Sequence, residues 1–299
     1  MPFSILLPLI AQAAALNGPG TAGLNLPQID RPRAGTQYHR GVVFDFPTPP
    51  SRLKTCLDAA SADSSAAEAS ARSWLHTAPK GSLDAAQANL CLGAALSLRG
   101  EFASAEAAFL TGREAAIEPI LRAQLGGMAG NAALAQAAPD RALPLLDAAQ
   151  ADAQIAGKGV LSGSIAIDRA RALVALKRPA EAAEALAQAR AAVPDDALAW
   201  LLSATLSRRS GDLPQAQLQI ENAARLDPAD PDTGVEAGVI AMLSGHEEAA
   251  RKSWESVLRS APGTEQAKRA TAYLAQIAPS PNPAPNTVKI SPQTPVTPR

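Results

Sequence analysis

The chain has 299 residues, a formal net charge of −1 and only 3% aromatic residues. Because the charge is near zero and its signs are interspersed, nothing favours binding to nucleic acid or to an anionic membrane surface. So few aromatic side chains predict thin helices packed closely through small residues, rather than a thick globular core.

The first 15 residues have the pattern of an export signal. Phe3–Ile10 is a short, mostly apolar run, and small residues follow it at Ala11, Ala13 and Ala15. We expect residues 1–15 to be a cleaved signal peptide, which places the mature protein in the periplasm or outside the cell. Since no Lys or Arg precedes the run, a cytoplasmic protein with an uncleaved apolar start remains the alternative. The run is too short to span a bilayer comfortably, so no stable membrane span is expected.

Two further segments have the composition of irregular chain. Residues 16–50 are rich in Gly and Pro and are predicted to be a linker, although Val42–Phe44 could also pair as a strand or lie against the first helices. Residues 279–299 are proline-rich with Ser, Thr and Asn between the prolines. We expect this tail to be disordered or polyproline II-like.

Between these segments, apolar residues recur at helical spacing, and one pattern repeats at a step of 34 residues. Each copy has an alanine, a larger residue four positions later and, in the last three copies, a closing proline. The gapless copies are Ala182, Leu186 and Pro194; Ala216, Ile220 and Pro228; and Ala250, Trp254 and Pro262. Looser copies begin at Ala105 and Ala142. A fixed period of this length predicts stacked helix–turn–helix units.

Small residues are expected where the two helices of each unit cross. Gly93, Gly130, Ala170, Ala204 and Gly238 are predicted to face the repeated alanines. We expect the larger residue of each copy to fill the gap against the next unit. Glycine suits the turn between the helices, but Ala137 and Lys177 stand at that position in two units.

This series of small, glycine, small, large and proline residues resembles the tetratricopeptide repeat over residues 86–264. The resemblance implies an all-α, right-handed superhelical solenoid of about five to six repeats. Residues 51–85 are then predicted to be a degenerate first repeat or N-terminal cap, and residues 265–278 a C-terminal cap helix.

Residues with reactive side chains are few. Cys56 and Cys91 lie about one repeat apart, which allows a disulfide in an exported protein, or two buried thiols otherwise. No pair of histidines has metal-ligand spacing, and Gly126-Gly127 lacks the residues of a phosphate loop. We therefore expect no enzyme activity, cofactor or metal.

In the tetratricopeptide family, the first helices of successive units line a concave groove that binds peptides. Carried over to this chain, that groove has aliphatic residues with a few polar donors, which would suit a peptide of some acidic character. Its predicted residues are Asn131, Ile167, Arg171, Leu201, Thr205, Arg208 and Val239. Alternatively, the aliphatic residues only pack neighbouring helices and the groove is empty.

These observations lead to the hypothesis of a non-catalytic scaffold that binds a protein or peptide partner in the cell envelope. One alternative is a cytoplasmic assembly module of the same fold. Another is a structural spacer that acts through its proline-rich tail.

Overall fold

The computed structural model describes residues 51–277, and all regular structure in this range is α-helical. This confirms the predicted all-α class. Within these residues there are thirteen helices: Arg52–Ala62 (α1), Ser64–Thr77 (α2), Leu83–Leu98 (α3), Phe102–Ala115 (α4), Pro119–Ala135 (α5), Pro139–Ile155 (α6), Gly159–Ala175 (α7), Pro179–Ala192 (α8), Ala197–Arg209 (α9), Leu213–Leu226 (α10), Pro231–Leu243 (α11), Glu247–Ser260 (α12) and Glu265–Leu274 (α13).

The helices follow one another as pairs joined by short turns. Five pairs, from α3/α4 to α11/α12, carry the repeated pattern; α1/α2 precedes them and the single helix α13 follows. Prolines mark both ends of the helices. Pro194, Pro228 and Pro262 lie two residues beyond the ends of α8, α10 and α12, since proline cannot continue a helix from within. Five helices, α5, α6, α8, α10 and α11, have a proline in their first turn, where its missing N–H costs nothing.

The turns within the pairs use left-handed backbone conformation. Gly100, Gly211 and Gly245 have φ values of 78°, 85° and 80°. Ala137 and Lys177 take the same conformation without being glycine, with φ of 55° and 59°. A left-handed residue with a Cβ atom costs about 1 kcal/mol, so the repeat geometry is retained in these two units despite local strain.

At three of the helix crossings, the larger residue of the pattern lies over the glycine of its own pair. A Cβ atom added to Gly93 would overlap the ring of Phe109, and one added to Gly238 would overlap the indole of Trp254. At Gly130 the added Cβ would lie 2.5 Å from Leu146 Cγ. The larger residue therefore covers the helix crossing of its own pair, a contact that was not expected from the sequence. Phe109 also lies in one apolar cluster with Leu121 and Leu125 of the next pair.

The chain divides into two compact units between Leu206 and Ser207. In the first unit, one apolar cluster surrounds Phe109 and Leu125, and another surrounds Leu146 and Leu186. The second unit has a smaller cluster around Trp254, whose ring centroid lies 5.0 Å from that of Tyr273 on α13.

Three predicted segments lie outside the described residues: the signal peptide (1–15), the linker (16–50) and the tail (279–299). These remain predictions. Within residues 51–277, the helices are all too short or too polar to cross a membrane.

Candidate functional site

The predicted groove residues of the first unit lie on three first helices of successive pairs. Asn131 is on α5, Ile167 and Arg171 are on α7, and Leu201 and Thr205 are on α9. Asn131, Arg171 and Thr205 occupy one register, because each directly follows the small residue at its helix crossing. All three are partly exposed.

Two of these residues bind the same carboxylate. Asn131 Nδ2 donates to Asp168 Oδ2 at 3.1 Å, and Arg171 Nη1 donates to Asp168 Oδ1 at 3.0 Å. Asp168 therefore joins α5 to α7. Burial raises the pKa of the Asp168 carboxyl above its usual range, although the charge of Arg171 and the hydrogen bonds from Arg171 and Asn131 act in the opposite direction.

Arg171 itself remains accessible. Its side chain is 39% exposed, and the ion pair with Asp168 engages one guanidinium nitrogen. The remaining N–H groups are available to a ligand, but the carboxylate beside them cancels most of the local charge. Arg171, which the sequence predicted to be a cationic donor, therefore forms an ion pair with Asp168, and its guanidinium group is partly exposed.

In the second unit, Arg208 is also paired. Its Nε donates to Glu236 Oε1 at 2.6 Å, and the two side chains are only 21% and 10% exposed. Val239, predicted for the same groove, is 8% exposed and belongs to the apolar cluster around Trp254.

The aliphatic members of the predicted groove differ in burial. Ile167 is 5% exposed and packs with Ala166, Ala189 and Ala199, so it belongs to the core. Leu201 and Thr205 are half-buried and partly accessible. The structure thus brings Asn131 and Arg171 together on Asp168, and leaves Ile167 and Val239 inside the helix packing.

Sequence reasoning missed the acidic partners, Asp168 and Glu236. The pairing of Asp168 with Arg171 could have been predicted, because residues spaced i,i+3 on one helix lie on the same face. The pairing of Arg208 with Glu236 could not have been predicted from local spacing, since the two residues are 28 residues apart on different helices.

One further carboxylate, which is buried, was also missed. Asp152, on α6, is 4% exposed and binds two arginines: Arg113 of α4 at 2.5 Å and Arg122 of α5 at 2.7 Å. Gly126 makes room for this cluster, because a Cβ at that position would lie 2.9 Å from Arg113 Nε. These two ion pairs connect the successive helices α4, α5 and α6.

Two shallow hollows open on the first unit. One, of about 330 Å³, lies at the start of α4 and is lined by residues that include Phe102 and Gln136. The other, of about 250 Å³, is lined by Leu110, Arg113, Glu114, Ala116 and Arg122. None of the predicted groove residues lines either hollow.

Cys56 and Cys91 form a disulfide in the structure, with their Cα atoms 6.1 Å apart. It connects α1 to α3, and both residues are buried. Among residues 51–277, no group of three or more His, Cys, Asp or Glu side chains is arranged to hold a metal ion.

Neither a protein-family model nor a curated protein matches this chain. Among solved structures, PilW, described as a widely conserved type IV pilus biogenesis factor, is 16% identical; the match covers 75% of this chain and 99% of PilW, with a TM-score of 0.62. PilF of Pseudomonas aeruginosa is 14% identical, with 75% and 99% covered and a TM-score of 0.60. YrrB, described as a TPR protein with an unusual peptide-binding site, is 20% identical, with 62% and 91% covered and a TM-score of 0.47.

The similarity to PilW and PilF agrees with the paired helices and the 34-residue pattern of this chain. At such low identity, the similarities bear on the fold alone. The chain has the fold of the tetratricopeptide repeat proteins.

Proposed function

We propose that this protein is a non-catalytic scaffold that binds a peptide or protein segment on the first-helix face of its first unit. The observation that carries the proposal is the register of Asn131, Arg171 and Thr205 on α5, α7 and α9. These three polar side chains recur at one position of successive repeats and remain partly exposed. A face with one accessible polar group per repeat suits a segment that runs along the stack.

The charge of this face is nearly balanced. Since Asp168 accepts hydrogen bonds from both Asn131 and Arg171, a partner gains little from carrying acidic residues. The partner is therefore recognised by hydrogen bonds and apolar contacts more than by charge, and its binding depends weakly on salt.

The test compares capture of partners from the native host by three proteins. The face variant is Asp168→Asn/Arg171→Ala/Thr205→Ala, in which the partly buried carboxylate is neutralised together with its arginine. The matched control is Arg178→Ala/Glu181→Ala, which removes an exposed ion pair at the start of α8. Partners bound by the wild type and the control, but lost from a face variant with unchanged circular dichroism, would support the proposal. Equal capture by all three would exclude this face.

We further propose that the protein acts in the cell envelope. The apolar run before Ala11 supports export, and a buried disulfide suits an oxidising compartment. The intact mass of the protein isolated from its host tests this. Loss of roughly 13–15 N-terminal residues is expected, whereas an intact N-terminus with free thiols would support the cytoplasmic alternative.

A further inference from the structure

The three most exposed large aliphatic side chains among residues 51–277 lie at two neighbouring connections of the first unit. Ile117, Ile155 and Val160 are 83%, 73% and 72% exposed, whereas the next, Leu218, is 58% exposed. Ile117 lies between α4 and α5, Ile155 ends α6, and Val160 is in the first turn of α7. We call these three side chains the edge patch. Exposed aliphatic side chains that occur together, rather than singly, indicate an interaction surface.

The ion pairs of Asp152 hold the two connections side by side. Arg113 and Arg122, which precede and follow Ile117 in the sequence, both bind the Asp152 carboxylate. Ile155 lies three residues, about one helical turn, beyond Asp152 at the end of α6. Ile117 and Ile155 are therefore neighbours on one edge of the first unit.

Opposite charges flank the edge patch. Glu114 and Glu118 lie at its α4–α5 end, and Lys158 lies at its α6–α7 end. All three charged side chains are exposed, and within residues 51–277 none of them forms an ion pair. The charge at the α4–α5 end remains negative when Asp152 and its two arginines are included. One end of the patch is therefore acidic and the other basic.

This arrangement is complementary to itself. In a two-fold symmetric contact both copies use the same surface, so a contact from residue i to residue j is matched by one from j to i. With the axis between the two connections, Ile117 of each copy meets Ile155 and Val160 of the other, and Glu118 meets Lys158. A contact in which each connection faced its own copy would instead bring like charges together, which is unfavourable.

The adjoining connections of the first unit continue the alternation of charge. Of the residues between helices, Lys80 is the charged one from α2 to α3, Glu118 from α4 to α5 and Lys158 from α6 to α7, while Asp195 and Asp196 lie between α8 and α9. Because short turns make consecutive helices antiparallel, all four connections lie on the same edge of the stack. A two-fold axis reverses their order, so the basic connections of one copy face the acidic connections of the other.

We propose that two copies of this chain associate antiparallel through their edge patches, about a two-fold axis between the α4–α5 and α6–α7 connections. Association buries the three most exposed aliphatic side chains of each copy, and the contacts between Glu118 and Lys158 fix the relative direction of the copies. The interface does not include Asn131, Arg171 or Thr205, so it is separate from the face proposed to bind a partner.

Sedimentation velocity of the full chain tests this association. We expect the wild type to change from monomer to dimer between about 1 µM and about 1 mM, the range of weak association. In Ile117→Ser/Ile155→Ser, which removes four aliphatic side chains from the dimer, association is expected to be roughly 100-fold weaker. The control is Leu218→Ser/Leu243→Ser, which removes side chains that are 58% and 40% exposed in the second unit, and it should associate like the wild type. A monomeric wild type, assemblies larger than the dimer, or equal association of the two variants would overturn the proposal.

Reversal of charge tests the direction of the copies. Glu118→Lys and Lys158→Glu each bring like charges together twice in the dimer, and each is expected to weaken association by roughly tenfold. The double variant Glu118→Lys/Lys158→Glu restores opposite charges and should associate like the wild type, which a variant impaired in folding would not do. A double variant that associated no better than the single ones would overturn the proposed pairing.

Discussion

At the residue scale, a large side chain lies directly over a glycine at three of the helix crossings. Phe109 and Trp254 cover glycines, at Gly93 and Gly238. At the second pair, the aliphatic Leu146 covers Gly130. In the third pair the larger residue is Leu186 and the crossing residue is Ala170. Both rings therefore lie over glycine, because close packing leaves no room for a ring and a methyl group in the space between two helices.

This matching predicts the effect of adding one methyl group at Gly238. In Gly238→Ala the new Cβ would overlap the indole of Trp254, whose Nε1 also donates to the carbonyl of Val235 at 3.1 Å. We expect the free energy of unfolding of the second unit to fall by about 2–3 kcal/mol, as for other overpacked cores. Urea denaturation measures the change.

The reverse substitution, Ala170→Gly, is the control. It removes a methyl at the equivalent crossing and is expected to cost only about 1 kcal/mol, mostly through helix propensity. If Gly238→Ala were as stable as the wild type, the position of the Trp254 indole would not depend on the absence of a Cβ atom at residue 238.

Asp168 gives a second prediction at this scale, on pH. Its pKa in the folded protein is raised, chiefly by burial, so the folded protein holds a proton at pH values where the unfolded chain has lost it. The contribution of Asp168 to stability is therefore greatest below the pKa of the unfolded chain, near 3.9, and is lost as the pH rises through the folded pKa.

Asp168→Asn removes this titration and keeps a polar group of similar size. We expect the stability of the wild type relative to this variant to decrease as the pH is raised from about 3 to about 7, measured by urea midpoints. Asp58→Asn, which removes an exposed carboxylate, is the reference for loss of one negative charge. A wild-type advantage that grows with pH would show that Arg171 and Asn131 outweigh burial.

At the element scale, the ends of several helices could be predicted from the sequence, whereas the partners of individual side chains could not. Prolines and the 34-residue step located the ends of α8, α10 and α12, because these signals act within a few residues. The candidate face was predicted less well. Whether Arg208 is free depends on Glu236, two helices further along the chain, and no local pattern reports such a contact.

Helix α1 has few buried residues of its own. Within α1, only Cys56 and Ala60 are buried, so α1 contributes little apolar area to the core. In the chain-entropy treatment, the disulfide between Cys56 and Cys91 closes a 35-residue separation and stabilises the folded state by about 4 kcal/mol. The covalent link therefore contributes a large part of the docking of α1.

We expect Cys56→Ala/Cys91→Ala to loosen α1 and α2 without unfolding the remaining helices. Amide exchange should become at least tenfold faster over residues 52–77 and change little from α5 to α8, because repeats are stabilised mainly by their nearest neighbours. Wild-type protein treated with a dithiol reductant under native conditions is the comparison. Unchanged exchange over residues 52–77 would mean that α1 is held by packing alone, and loss of protection throughout would mean that the stability of the remaining helices depends on the disulfide.

At the scale of the whole molecule, the described residues form two compact units with unequal cores. The first contains two large apolar clusters, the carboxylate clusters of Asp168 and Asp152, and the disulfide. The second has one smaller cluster around Trp254. Arrays of repeats lose all-or-none cooperativity when their parts differ in stability.

Because its apolar core is smaller, we expect the second unit to unfold before the first. In hydrogen exchange followed across a urea series, residues 231–274 should lose protection at lower urea than residues 119–192, because less apolar surface is buried around them. Gly238→Ala should then widen the gap, since its overlap with Trp254 destabilises only the second unit, whereas Asp168→Asn should alter the first unit alone. Loss of protection in both ranges at one urea concentration, in the wild type and in Gly238→Ala alike, would show instead that the two units unfold as a single cooperative structure.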